Sequence, residues 1–377
     1  MRRLFPVRAS FVCATLFASL IFAVDVASPQ DVTGGATAPS GREIYQRACA
    51  ACHGPDGRGV PQSQLGFDTP VPDFTDCRFV TVEPDDDWMA VAHAGGPARG
   101  FDVRMPAFGG ALTDEELQRT IDYIRGFCPS RAWPHGNLNL PRPLVTEKAF
   151  PENEAVLTTS VAATGSGAIG NELLYEQRFG PRSQFELAVP IQLQEGAAGG
   201  WRRGLGDIAL AVKHALYHDV ARGHILSVAG EIVLPTGKET EGLGRGVTVF
   251  EPFVAFGQIL PGNAFVQAQA GFELPADTAV ASREAFWRVA GGRTFTQGRF
   301  GRAWTPMLEV LAARELERGA TTRWDLVPQM QVTLNRRQHI MLNGGVRVPV
   351  NERRDRSTRL MVYLLWDWFD GGFLEGW

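Results

Sequence analysis

From about Glu154 onward, apolar and polar residues alternate with a period of two, and no other feature of the chain restricts its fold as tightly. In Phe185, Leu187, Val189, Ile191 and Leu193 the apolar side chains are interleaved with Glu186, Ala188, Pro190, Gln192 and Gln194. The order returns in Trp324, Leu326, Met330 and Val332 against Arg323, Asp325, Gln329 and Gln331. It returns again in Ile340, Leu342, Val346 and Val348 against His339, Asn343 and Arg347. Successive strand side chains point to opposite faces, so each segment has one face for oil and one for water. About twelve such segments can be counted, of about ten to thirteen residues, against roughly five or six for a typical soluble strand.

Strands of that length match tilted membrane-crossing strands, and their connections supply a second test, because barrels of bacterial outer membranes pair long outside loops with short periplasmic turns. Glu195 to Gly204, Thr236 to Gly246, Ala276 to Ser282 and Asn351 to Ser357 are long; Gly180 to Arg182, His218 to Gly223, Pro261 to Asn263 and Asn335 to Arg337 are shorter. Glu317 to Ala320 breaks the rule. The order puts the start of the first strand on the periplasmic side. Trp304, Trp324, Trp366 and Trp368 are expected on the apolar face near strand ends, as an aromatic girdle. The terminal Trp377 resembles a barrel assembly signal, although Gly371-Gly372 interrupts the last strand. Pro190, Pro252, Pro306 and Pro328 need bulges or strand ends in a closed barrel, and a soluble β-sandwich is the alternative. The Phe250 to Phe256 stretch, Leu205-Gly206-Asp207 and Leu234-Pro235-Thr236-Gly237 resemble transporter-like outer-membrane barrels of the phenol-degradation porin type, over residues 154 to 377. That resemblance implies a barrel and names no cargo.

At the other end, Arg2, Arg3 and Arg8 precede an apolar run from Ala9 to Val24 and small residues at Val26-Ala27-Ser28, the grammar of a signal peptide over 1–28. An anchoring helix, the alternative, needs about twenty apolar residues. Of the five cysteines Cys13 would leave with this segment. Export to an oxidising compartment lets the remaining ones be thioethers or disulfides.

Cys49-Ala50-Ala51-Cys52-His53 has the spacing of covalent haem attachment. Residues three apart share a helix face, so both thiols reach one porphyrin edge while His53 ligates the iron. Ile44 and Ala48 mark the apolar side of the carrying helix, which stops at Gly54-Pro55. A zinc site or redox dithiol is the other reading of two such cysteines, but zinc usually needs about four ligands. Met105, followed by Pro106, is the expected second axial ligand; His93 is its rival, and Met89 reads as core filler beside Trp88. A closing helix runs from about Thr113 to Phe127, with a Thr113–Glu116 capping box and a Leu117, Ile121, Ile124 stripe. In these motifs and their order, residues 41–128 resemble a class I c-type cytochrome, which implies an α-helical fold, one covalently bound haem c and electron transfer. Cys77 and Cys128 could staple the middle loop to the end of the closing helix.

Residues 41–128 hold eight Arg, no Lys and fourteen Asp plus Glu, a net charge of -6. Such a domain either favours a periplasmic redox partner with a basic docking surface or is simply kept soluble. The whole chain has a net charge of -4, and nothing in that balance points to nucleic acid. Residues 129–152, rich in Pro, Asn and Trp and without a period, read as a linker.

The expected architecture is multidomain: an α-helical cytochrome domain at 41–128, then an antiparallel, about twelve-stranded transmembrane barrel at 153–377, with outer-membrane lipid around it. Twelve strands close a cylinder roughly 24 Å across. A domain of this size is about 30 Å wide and cannot enter it intact. The leading expectation is a periplasmic electron carrier anchored to an outer-membrane barrel, more carrier than catalyst. The alternatives are a fused cytochrome-porin oxidase of an extracellular donor such as ferrous iron, or a channel for small hydrophobic solutes with a redox-linked cytochrome. Glu186, Lys213, Arg323 and Asp325 would line a lumen or form a charge lattice that fills it.

Overall fold

The computed structural model describes residues 38–66, 70–196 and 199–368; the expected leader with Cys13, and Gly371, Gly372 and Trp377, lie outside the described residues. In the helical half, α1 (Gly41–Ile44), a π-helical turn (Tyr45–Cys49) and α2 (Ala50–His53) follow without a break. Ser40 and Glu43 form a capping box at the start of α1. Gly54, at φ +73°, ends α2 in a conformation that L side chains avoid. After α3 (Gln62–Leu65), α4 (Cys77–Val80) and α5 (Asp85–Ala94), the chain closes with α6 (Asp114–Arg125), capped by the Thr113–Glu116 box. A Cβ at Gly41 would run into the Arg119 carbonyl, so the lack of a side chain there is what lets α1 lie against α6. Tyr45, Phe74, Val80, Ile124 and Cys128 pack together in the core.

The strands are β1 (Glu154–Ala162), β2 (Ala168–Phe179), β3 (Ser183–Glu195), β4 (Trp201–Leu205), β5 (Ile208–Asp219), β6 (His224–Leu234) and β7 (Val249–Leu260). They continue as β8 (Ala264–Pro275), β9 (Glu284–Arg293), β10 (Phe295–Thr296), β11 (Ala303–Glu315), β12 (Arg323–Thr333), β13 (Ile340–Pro349) and β14 (Arg359–Asp367). Each pairs antiparallel with its neighbours, and β14 returns to β1 with Glu154 opposite Asp367, closing a 12-stranded barrel. The short β4 and β10 extend the ladders of β3 and β11. The closed ring rules out the sandwich.

Each strand proline sits where a ladder lapses. Pro190 falls between Ala188, where pairing with β5 ends, and Ile191, where pairing with β4 begins. Pro306 lies just beyond the β9 ladder, which ends at Met307. The ladders to β8 and β13 skip Glu251-Pro252 and Val327-Pro328. A residue without an N–H therefore deprives no partner.

Outward-facing positions are apolar and exposed, among them Leu157, Leu173, Val212, Val254, Leu308 and Leu364. They form a ring of oil around the barrel, far beyond the patches a water-soluble surface carries. Trp304 and Trp366 point outward at one end of the barrel and Trp287 and Trp324 at the other. Trp368 keeps to the expected face but is only 6% exposed, its ring lying against the outward-facing Trp366 (6.2 Å) and Tyr175 (5.8 Å).

Inward-facing positions mix polar side chains with apolar ones such as Ile225, Phe253 and Phe286, and the segment expected to be a linker fills the space they enclose. It leaves the helical half pinned, Gly136 N–H donating to the Thr81 carbonyl (2.7 Å) and Asn137 Nδ2 to Asp85 (2.9 Å). Within the barrel Arg142 meets Glu154 (2.6 Å) on β1 and Glu176 (2.7 Å) on β2. The Glu152 N–H donates to Gln184 on β3 (2.6 Å), and Glu147 lies 4.0 Å from Lys213 on β5. Ser227 on β6 donates to the Ala149 carbonyl, Leu138 packs on Phe253 of β7, and Gln267 on β8 donates to the Pro141 carbonyl. Arg288 on β9 donates to the Val145 carbonyl, Glu309 on β11 accepts from Thr146, and Gln329 on β12 accepts from Leu144. Asn343 on β13 and Tyr363 on β14 both donate to the Arg142 carbonyl. One short segment thus touches every strand of the ring, and it is a plug.

Lys213 lies between Glu186 (3.4 Å) and Glu176 (3.8 Å), all three buried, while Arg323 pairs with Glu284 and Asp325 with Arg347. The four charges read from the sequence as lumen residues are therefore members of ion pairs inside the ring.

Candidate haem centre

The three consecutive elements from α1 to α2 put Cys49, Cys52 and His53 on adjoining turns. Both thiols are half-buried and outside any disulfide, whereas Cys77 and Cys128 are joined, their Cα atoms 5.3 Å apart. Burial, with Cys52 adding to it, pushes the Cys49 thiol up to about 11. Burial pushes the His53 imidazole down to about 4, so the ring is neutral and keeps a lone pair for a metal. His53 stacks on Phe74, centroids 4.7 Å apart and planes 21° apart. Its buried Nδ1 has no hydrogen-bond partner among the described residues. Its carbonyl accepts from Gly59 N–H (2.9 Å) and from the Tyr45 hydroxyl (3.2 Å), so the backbone that carries the ring is tied to the following loop.

The Met105 turn is fixed from the far end of α5. Met105 N–H donates to Asp102 (3.2 Å), and its carbonyl accepts from Gly96 N–H (3.0 Å). A Cβ at Gly96 would run into the Asp102 carbonyl and stand 3.2 Å from the Met105 Cβ, so only glycine lets the turn pack this closely. From the other end of α5, Trp88 packs on Phe74 (5.4 Å), which stacks on His53. One helix therefore braces both proposed ligand segments. The rival His93 lies over Gly109 and against Phe300 of the barrel (5.3 Å). The aromatic brace of Phe74 and Trp88 was not singled out from the sequence; an aromatic-rich stretch around Cys77 is the only signal it leaves there.

Two thiols one turn apart, a neutral imidazole with an orphaned nitrogen and a thioether on a glycine-fixed turn form a donor set that fits a covalently held haem. Cys49 and Cys52 would form the thioethers, and His53 and Met105 would hold the iron.

The helical half also rests on the barrel. Arg99 Nη1 donates to the Phe300 carbonyl (2.7 Å), Arg299 pairs with Asp114 (2.5 Å) and His339 with Glu83 (3.2 Å), and Arg182 Nε donates to the Ala132 carbonyl (2.8 Å). The Arg337 guanidinium stands 4.4 Å over the Phe101 ring. These barrel residues all belong to connections at the end where β1 begins, the end with the shorter turns.

Residues 36–124 match the family model described as Cytochrome C oxidase, cbb3-type, subunit III. No curated protein matches the chain. Among solved structures, an outer membrane channel from Pseudomonas putida F1 is similar at 13% identity over 60% of this chain and 100% of that one, with a TM-score of 0.42. The KdgM porin in complex with disordered oligogalacturonate is similar at 8% identity over 57% of this chain and 99% of that one, with a TM-score of 0.39. The beta domain of the Bordetella autotransporter BrkA is similar at 12% identity over 57% and 99%, again at 0.39. The β14–β1 ladder closes the ring independently of these likenesses. The chain therefore joins a cytochrome c domain, matched at residues 36–124, to a closed 12-stranded barrel that resembles outer-membrane porins.

Proposed function

We propose that this chain is a single-haem electron carrier held at the periplasmic face of the outer membrane by a barrel that its own interdomain segment plugs. The observation that carries the reading is the seating of the cytochrome domain on the short-turn end of a ring of strands whose lumen is filled from Leu138 to Glu154. Short turns face the periplasm in barrels of this kind. The apolar outer ring supports a lipid environment. The bound group would supply reversible one-electron chemistry. His53 and Met105 would both hold the iron, a fully protein-supplied donor pair that favours transfer over catalysis. Phe74 and Trp88 keep water from the His53 side.

Two alternatives part from this one at the lumen. A channel for hydrophobic solutes needs an open pore, and the plug argues against it. An oxidase of an extracellular donor such as ferrous iron needs electrons to cross an apolar band about 25 Å tall, with one haem motif to carry them. The purified full chain should show low-spin ferrous haem that does not bind carbon monoxide, and in intact cells a membrane-impermeant reductant should reduce it only after the outer membrane is permeabilised. Carbon monoxide binding in the resting protein refutes the two-ligand site, and reduction in unpermeabilised cells refutes the sidedness. His53→Ala should abolish the low-spin spectrum while leaving heat-modifiable migration of the barrel on gels.

A further inference from the structure

The plug consumes the charges of the barrel's middle and of the end near the cytochrome domain, but another set stands at the opposite mouth. There a cavity of about 340 Å³ opens, with Val145 of the plug on its wall, in the size range of small-molecule sites. It is lined by five arginines and three carboxylates. Arg245 pairs with Glu273 (2.6 Å) and Arg323 with Glu284. Asp325 alone serves two guanidinium groups, those of Arg347 (2.6 Å) and Arg356. Arg288 meets no carboxylate on the wall; its Nη1 donates to the Val145 carbonyl (3.2 Å) and to Gln269 (3.1 Å). The wall therefore carries two more positive than negative charges. Glu147, Glu251 and Glu309 stand within electrostatic reach of Arg288, but none of them lines the cavity.

The arginines are also incompletely used. A guanidinium has five N–H donors. Arg347 commits Nε and Nη2 to Asp325, and its side chain stays 37% exposed; that of Arg323 is 36% exposed and that of Arg245 48%. Donors left over on one wall of a recess focus positive potential on whatever enters. Planar, forked donors match carboxylate and phosphate oxygens two at a time.

We propose that this mouth is a binding site for a small polyanion, a soluble compound bearing two or three carboxylate or phosphate groups, held between Arg245, Arg323 and Arg347 above Arg288. The site is independent of the haem assignment, since its walls belong to the barrel and the plug alone. The test is calorimetric titration of the full chain in detergent with citrate, with pyrophosphate, and with glycerol as a neutral probe of similar donors and acceptors. The expected result is saturable one-site binding of citrate or pyrophosphate, none of glycerol, and at least a tenfold loss of affinity in Arg347→Gln. Arg356 still serves Asp325 in that variant, and unchanged heat-modifiable migration reports its fold. Arg245→Gln, at the rim and away from the plug, should weaken binding as well. The proposal is overturned if neither anion binds the folded protein, if glycerol binds as well as they do, or if both variants bind the anions as tightly as the parent.

Discussion

In the helical half, Tyr45, Phe74, Leu117 and Ile121 are buried and most of the carboxylates face outward, Glu83, Asp85 and Asp87 being covered in ion pairs. In the strand half, Lys213, Glu176 and Glu309 are buried while Leu157, Val254 and Leu364 are exposed. The same rule produces both patterns, because apolar surface leaves water wherever it can: into a core in one case and into lipid in the other. The inversion also moves the source of cohesion. Apolar packing and a disulfide hold the helical half, whereas in the ring ion pairs and hydrogen bonds to the plug stand beside an apolar cluster that includes Leu138, Phe150, Ile225 and Phe253.

That contrast breaks most sharply at Arg142. Arg142→Met would suit a core such as the helical one, yet here it takes the nearest cation from Glu154 and Glu176, leaving each only a lysine at 3.8 Å, and should cost about 3–5 kcal/mol. The measurement is the unfolding midpoint in detergent, and single-channel recording should show a lumen that conducts where the parent is closed. In the helical half, Cys77→Ser with Cys128→Ser removes a bridge across 51 residues of sequence separation. The loss should be about 4 kcal/mol by loop entropy, read as earlier loss of the haem-domain signal with the barrel transition unmoved. Val254→Lys puts a charge on the lipid face, 45% exposed in the structure. A solvated surface would tolerate it, but a lipid-facing one should lose about 2–4 kcal/mol near mid-bilayer. The smallest effect is expected at the Arg299–Asp114 pair, whose side chains are half-exposed. Asp114→Asn should leave both transitions where they are, since solvent screens such a pair; a clear shift would mean that this contact couples the halves.

The sequence was legible where interactions are local. Cys49, Cys52 and His53 are set by spacing along one helix, the Thr113–Glu116 box by a span of three residues, and the strand faces by alternation. The role of residues 129–152 was not legible at all beyond their joining the two halves. Arg142, Thr146, Lys148 and Phe150 have no period, and their partners lie as far away as Glu309 and Tyr363.

By itself the sequence determined the helical stretch that carries Cys49, Cys52 and His53, the number of the long strands, and which face of each is apolar, because these follow from spacings within a single element. Only the tertiary structure decided that the ring is full, that Phe74 and Trp88 brace His53, and that arginines gather at the far mouth. Those facts depend on which distant residues closure of the barrel brings together, and neither local propensity nor periodicity encodes that choice.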